Sequence, residues 1–335
     1  MKTLISSDVR LLANLIQEGK VVIFPTETVY GIGASTKSEL ACLRVYEIKG
    51  RPKDNPLIAH FHSIESIAAV CELGEVGRAL LERFSPGPLT LILPKKDKSL
   101  FPKDLDTLAV RIPKSPVVRE WIELSGGPIS APSANLSGRP SLTKLSDVLR
   151  YFDRVVDGIL VAEEPSFGIE STVVSLVGMH PTLLRPGSIE SRELLKLLPD
   201  LRIPELTSKN ENQAVPLSPG TKYKHYAPTA RVILASTEEF IESFKTMFQS
   251  KSMAWIGYSL KGNEPDAFKE GFGKQSFGDD DRFCLVSSNE DYASKLYAFF
   301  ESCDMSGVQS IFCEVPKPGF GEEGLRNRLE KAASA

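Results

Sequence analysis

Residues 35–61, STKSELACLRVYEIKGRPKDNPLIAHF, hold the junction that decides the fold. Thr36 with Glu39 reads as a capping box, followed by an apolar stripe through Leu40, Leu43 and Ile48. Gly50 then ends the predicted helix and Pro52 prevents its continuation, so Lys49 falls in the last turn. The apolar run PLIAHF follows at once as a strand. Lys49, Arg51 and Lys53 place three cations in five positions between these two elements. Such charges repel one another, so they either splay into water or are held together by a polyanion such as a nucleoside triphosphate. Arg51 and Asn55 are fenced by Pro52 and Pro56, and a restrained basic loop at a strand's edge suits phosphate better than solvent.

The same alternation runs outward on both sides. SSDVRLLANLIQEG has helical spacing and stops at Gly19, and KVVIF follows as a β-branched strand. LTLILP, TLAVRIP, STVVSLV and TLLRPG read as further strands, with EVGRALLERF, SPVVREWIEL, LSDVLRYF and SRELLKLL as helices between them. The fold class is therefore α/β, with a twisted mixed sheet in residues 1–205. Residues 206–229 are polar, rich in proline and poor in aliphatic clusters, as expected of a linker. Residues 230–335 bring strands ARVILA, MAWIGY, RFCLVS and SIFCEV with helices between, a second, smaller, Rossmann-like α/β domain.

Composition narrows the function classes. With 335 residues, a net charge of −3 and 41% hydrophobic residues, the chain has the makeup of a two-domain globular protein rather than of a broad nucleic-acid binder. No apolar run reaches a membrane span, and the first twenty residues read as an amphipathic helix without the zones of a signal peptide. Five cysteines without CxxC spacing argue against a disulfide framework or a zinc site and fit a reducing cytoplasm.

Other stretches could carry chemistry. FPTETVYGIG leaves a strand at Pro25 and sets Thr26, Glu27, Thr28 and Tyr30 where α/β folds place ligand groups. GPISAPSANLSGRPSLT supplies Ser130, Ser133, Asn135, Ser137 and Ser141 in a loop whose amides and hydroxyls could cradle an anion; a plain serine-rich connection is the alternative. His60 and His62 alternate on a strand, but without a nearby Cys or carboxylate run the expectation is a hydrogen-bonding histidine and no metal site. GFGEEG at 319–324 has dinucleotide-loop spacing, yet no second strand or ribose-binding acid follows it in this sequence.

Taken in order from residue 24 to 228, FPTETVYGIG, YEIKGRPKDNPL, AVRIP, SAPSANLSGRPS, GIESTVV, LLRPG and SPGTKYKHYAP resemble the YrdC-like threonylcarbamoyl-AMP synthases in their long two-domain form. The signature Lys-x-Arg followed downstream by Ser-x-Asn is met by Lys49, Arg51, Ser133 and Asn135. GFGEEGLRNRLEKAA is similar to the family's closing helix, in a more acidic version. The resemblance implies that L-threonine and bicarbonate give an N-carboxy-threonine that attacks the α-phosphate of ATP, releasing pyrophosphate. A separate tRNA threonylcarbamoyl transferase would take the product.

By the same resemblance Lys49, Arg51, Ser133 and Asn135 are the catalytic set, and Asn55, Thr107, Ser141, Arg185 and Tyr226 join Arg51 and Ser133 at ATP and its Mg2+. Thr28, His60, Arg111, Ser171 and the backbone of Ala131 would line the threonine pocket, and the linker, with Lys222, Tyr223, Lys224 and His225, would fold over the site as a lid. Two rival readings stay open: an RNA-binding module gripping phosphates, with weak RNA binding also compatible with the synthase, and a relative of the hydrogenase maturation proteins. The latter carry cysteine-rich zinc-finger segments that this sequence lacks.

Overall fold

The computed structural model describes residues 2–204, 226–247, 250–258 and 281–334. Residues 205–225, which hold most of the expected linker and lid including Lys222, Tyr223, Lys224 and His225, lie outside the described residues. The chain divides into two compact units, one of Met1–Ser137 with Ser141–Tyr223, the other of Gly138–Pro140 with Lys224–Ala335.

The first unit is ordered around the quoted junction. Its helix α2 (Glu39–Lys49) is capped by Ser38, whose hydroxyl accepts from the Ala41 amide, while Thr36 instead pairs with Ser130 at 2.9 Å. The expected capping box at Thr36 and Glu39 therefore fails, because Ser38 stands closer to the first helical turn. The buried stripe is also shifted. Ala41, Cys42, Val45, Tyr46 and Lys49 face inward, whereas Leu40 is 82% exposed. Lys49 thus stands one turn beyond Val45 and Tyr46 on the same apolar face, and helical periodicity carries its side chain into the interior. At the helix end Gly50 adopts φ 60°, its amide bonds Glu47, and the Arg51 amide bonds Tyr46, a Schellman closure that fixes where Arg51 begins.

Ten strands make the sheet: β1 (Leu4–Ser6), β2 (Val22–Phe24), β3 (Gly31–Ser35), β4 (Ile58–His60), β5 (Leu89–Pro94), β6 (Thr107–Arg111), β7 (Ile129–Ala131), β8 (Gly158–Leu160), β9 (Thr172–Ser175) and β10 (Thr182–Arg185). Their order is β1-β8-β2-β3-β7-β4-β6-β5-β9-β10, with parallel and antiparallel pairs mixed. Helices α1 (Val9–Gln17) and α5 (Pro116–Leu124) bury Leu12, Ile16, Val118 and Trp121 against Val22, Phe24 and Ile129. On the alternate side chains of the same strands, Ile23 and Ile32 pack with α2 and with α6 (Leu145–Phe152). The remaining helices α3 (Ile64–Val70), α4 (Gly74–Phe84) and α7 (Ser191–Leu195) cover Leu89, Leu91, Leu93, Leu108 and Val110.

The second unit holds β11 (Arg231–Ala235), α8 (Thr237–Met247), β12 (Met253–Tyr258), β13 (Phe283–Val286), α9 (Asn289–Met305), β14 (Ser310–Glu314) and α10 (Glu322–Ala333). Its strands are all parallel in the order β11-β14-β12-β13, and Trp255 is stacked on Phe283 and Phe312 from the neighbouring strands. Among the described residues no helix is long and apolar enough to cross a membrane. All five cysteines are free thiols.

Two glycines separate conformational from steric need. A Cβ at Gly50 would meet nothing within 4 Å, so Gly50→Ala carries only the strain of a positive φ and should cost about 1 kcal/mol. A Cβ at Gly187 would stand 2.5 Å from the Glu170 carbonyl oxygen and the Thr172 amide, so Gly187→Ala must displace backbone and should cost roughly 1–3 kcal/mol or more. Urea unfolding of the two variants tests this order; equal losses would contradict it.

Candidate active site

The Lys49 ammonium reaches the loop after β7. It donates to the Ser133 carbonyl at 2.6 Å, to the Asn135 carbonyl, and to Asn135 Oδ1 at 3.3 Å. The loop returns the bond, since the Ser137 amide donates to the Lys49 carbonyl at 2.9 Å. Ser133 donates its hydroxyl to Asn135 Oδ1 at 2.5 Å, so the family's serine and asparagine are locked to each other as well as to the lysine. Burial pushes Lys49 well below the ordinary lysine value, the Arg51 charge adds to that push, and Glu170 opposes it. Arg51 is itself buried, bonding the carbonyls of Asn55 at 3.0 Å and Pro56 at 3.3 Å, so both cations are held by fixed carbonyl oxygens.

A second group of residues comes from the ends of β2, β4 and β6. Arg111 donates to Glu27 Oε1 at 2.7 Å and the Lys114 amide donates to Glu27 Oε2 at 2.9 Å. Burial alone would raise the Glu27 carboxyl; Arg111 and the Lys114 amide outweigh it and hold the group below its ordinary value. His60 is the parallel partner of Arg111 in the β4–β6 ladder and the antiparallel partner of Ile129 in β4–β7. Its Nδ1 lies 3.1 Å from the Ile58 carbonyl and 3.4 Å from that of Ile129, and its ring meets the edge of Phe24 at 5.4 Å. Burial, reinforced by Arg111, pushes this imidazole down to about 3. Thr28 pairs its hydroxyl with Thr26 at 2.8 Å, and Ala131 lies in β7 opposite Ile58.

A third group comes from residues 141–187. Ser141 donates to Glu170 Oε1 at 2.5 Å, Ser171 pairs with Thr90 at 2.8 Å, and Arg185 donates to the carbonyl and hydroxyl of Ser171, both at 3.1 Å. Backbone bonds join the groups: Gly168 to Thr28, Phe167 to Glu27, Ala134 to Tyr30 and Tyr30 to Leu142.

The structure thus ties Lys49 to Ser133 and Asn135, Arg51 to Asn55, Ser141 to Glu170 and Arg185 to Ser171, and pairs His60 with Arg111 across β4 and β6, all within the first unit. Thr107 starts β6, half-buried and paired with Pro94, four residues or about 13 Å along the strand from Arg111. Tyr226 belongs to the second unit, where it is stacked on Tyr297 at 6.0 Å with Arg328 over its ring at 5.0 Å. His62 lies beyond the end of β4, so it does not share a strand face with His60. The sequence reading left Glu170 and Thr90 unassigned and gave Glu27 no specific task. Glu27 and Glu170 lie inside the quoted TETVYG and GIESTVV stretches, which was the available signal.

Residues 14–187 match the family described as Telomere recombination (Sua5_yciO_yrdC), and residues 189–334 match that described as Threonylcarbamoyl-AMP synthase, C-terminal domain. The Threonylcarbamoyl-AMP synthase of Pyrococcus abyssi is 39% identical over 342 residues, covering 97% of this chain and 94% of the relative. That of Bacillus subtilis is 38% identical, covering 96% and 91%. The crystal structure of P. abyssi Sua5 complexed with L-threonine superposes with a TM-score of 0.84 at 35% identity, covering 99% of this chain and 97% of that one. The chain belongs to the two-domain, YrdC-like Sua5 family of threonylcarbamoyl-AMP synthases.

Proposed function

We propose that the chain makes threonylcarbamoyl-AMP and pyrophosphate from L-threonine, bicarbonate and ATP. One observation carries this reading within the site itself. Lys49, Arg51, Arg111 and Arg185 are 3, 8, 4 and 4% exposed, so four basic side chains are buried within the first unit. Anions suit such a concentration of basic groups, and a triphosphate with an amino-acid carboxylate supplies them.

The amine nitrogen of threonine bonds to the carbon of bicarbonate and water leaves, giving a carbamate. A carbamate oxygen then attacks the α-phosphorus of ATP, the bond to the bridging oxygen breaks, and pyrophosphate departs. Negative charge grows on that leaving group, and Lys49 and Arg51, fixed by carbonyl oxygens, face it without reorganising. A nearby phosphate also reverses the effect of burial on Lys49, because an opposite charge favours the ammonium. Asn55, Ser133, Asn135, Ser141 and Arg185 position the nucleotide in this reading. Thr107 and Tyr226 keep their assignment to it on sequence resemblance. The site's carboxylates are already bonded, Glu27 to Arg111 and Glu170 to Ser141, so Mg2+ would be held chiefly by phosphate oxygens and water.

In the threonine pocket, Arg111 takes the carboxylate, with Ala131 beside it. The carbonyls facing His60 Nδ1 can only accept, so Nδ1 carries the proton and the neutral ring keeps Nε2 as an acceptor for a substrate hydroxyl or ammonium. Ser171 and Thr28 complete a polar wall that valine, lacking the hydroxyl, leaves unpaired. A cytoplasmic location, transfer of the product to a tRNA threonylcarbamoyl transferase and weak affinity for RNA belong to the same proposal.

Pyrophosphate release with ATP and bicarbonate should depend on L-threonine, be poorly supported by valine or serine, and fall by about 10²-fold or more in Lys49→Ala and Arg51→Ala. Release that ignores the amino acid, or that survives both substitutions, overturns the reading. Stability gives a second expectation. The folded His60 ring titrates near 3 and the unfolded one near 6.5, so the folded protein binds fewer protons between these values. The contribution is complete above pH 6.5 and declines as pH falls toward 3, by at most roughly 1.4 kcal/mol per pH unit. Denaturant unfolding between pH 7 and 4 should show His60→Gln losing less stability than the parent; equal losses would mean that the ring is not held neutral.

A further inference from the structure

Resting on that synthase reading, we infer that Glu27 is a positioning residue for the amino-acid substrate: it fixes the Arg111 guanidinium so that the donors left over receive the substrate carboxylate. Each oxygen of Glu27 has one fixed partner, Arg111 Nη2 at 2.7 Å and the Lys114 amide at 2.9 Å. Its main chain is fixed too, the carbonyl accepting from the amides of Ser166 at 3.0 Å and Phe167 at 2.8 Å. Arg111 is anchored at the end of β6, where its carbonyl accepts from Phe61 at 2.8 Å. Yet Arg111 Nε is buried and, among the described residues, has no hydrogen-bond partner. A purely structural ion pair would be expected to satisfy such a donor, since a buried charged N–H without an acceptor is costly. A planar carboxylate is the acceptor that matches a guanidinium edge.

The pair therefore divides its labour. Glu27 neutralises and orients the guanidinium while the pocket is empty, and the substrate supplies the remaining acceptor. Without Glu27, Arg111 would be a desolvated cation free to choose another rotamer.

The test uses the full chain and steady-state pyrophosphate release. Glu27→Gln keeps the side chain's size and an acceptor for the Lys114 amide but removes the charge. Its KM for L-threonine should rise by about 10- to 100-fold, with the KM for ATP unchanged and kcat within about threefold. A parent-like threonine KM overturns the inference and leaves the synthase reading standing. A parallel rise in both KM values makes Glu27 merely structural and also overturns it. No threonine-dependent release by the unaltered chain removes the synthase reading and this inference with it. Should Glu27→Gln fail to fold, Glu27→Asp keeps the charge but draws it back by one methylene. There the threonine KM should still rise by about 5- to 20-fold at constant KM for ATP, and an unchanged value overturns the inference.

Discussion

A lysine ammonium held out of water at the end of α2 sets the terms for the site around it. Its burial follows from helix phase, since Lys49 continues the stripe of Cys42, Val45 and Tyr46. Desolvating an ammonium is tolerable only where acceptors replace water, and here the Ser133 carbonyl and the carbonyl and side chain of Asn135 do so. Those acceptors are useful only if their loop is rigid. The loop is fixed by the amide of Ser137 on Lys49, the amide of Ala134 on Tyr30, and the bridge between Ser133 and Gly31. Helix end, loop and β2–β3 turn therefore stand or fall together. That coupling places two like charges, Lys49 and Arg51, where a mobile anion is the natural complement.

The counter-charges are distributed by a different device. Glu27 and Glu170 lie far apart in the chain, but residues 166–168 bond the carbonyls of Glu27 and Thr28 and so carry both carboxylates on one backbone clasp. Close approach of Gly187 to residues 170–172 completes it, which is why no side chain fits there. Arg185, two residues before Gly187, consequently reaches both oxygens of Ser171. The three groups of site residues are thereby linked through main chain, and charge placement becomes a property of the fold rather than of flexible surface arms.

Local pattern made the helices other than α3 and the longer strands legible, because periodicity of 3.6 or 2 is written in consecutive residues. Four of the short strands were not. Leu4–Ser6, Gly31–Ser35, Ile129–Ala131 and Gly158–Leu160 are three to five residues long and rich in glycine or serine, and they are strands because neighbours on the sheet pair with them. Thus the first residues, read as all helix, begin with a strand, and the serine-rich stretch read as one loop has β7 at its start. The capping box at Thr36 lost to Ser38 by proximity, a competition between two good caps that sequence alone does not rank. Within the site, the basic cluster and Ser133 with Asn135 were readable from their motif. The pairing of Glu27 with Arg111, 84 positions apart, was not, since nothing local to TETVYG announces which cation it meets.

The glycine pattern at 319–324 shows the converse, a motif whose spacing is right and whose electrostatics are wrong. Gly319 and Gly321 do adopt positive φ and do open α10, as a phosphate-binding turn would. The first helical turn, however, carries Glu322 and Glu323 at the end where amide dipoles would attract a pyrophosphate. Glu322 accepts from the Gly319 amide and holds Arg326 at 2.8 Å, while Asn289 donates to the carbonyls of Lys317 and Phe320. The turn is thus closed by its own side chains. A helix end that provides its own negative charge gains nothing from a phosphate, so the glycines are explained by the geometry of the turn alone.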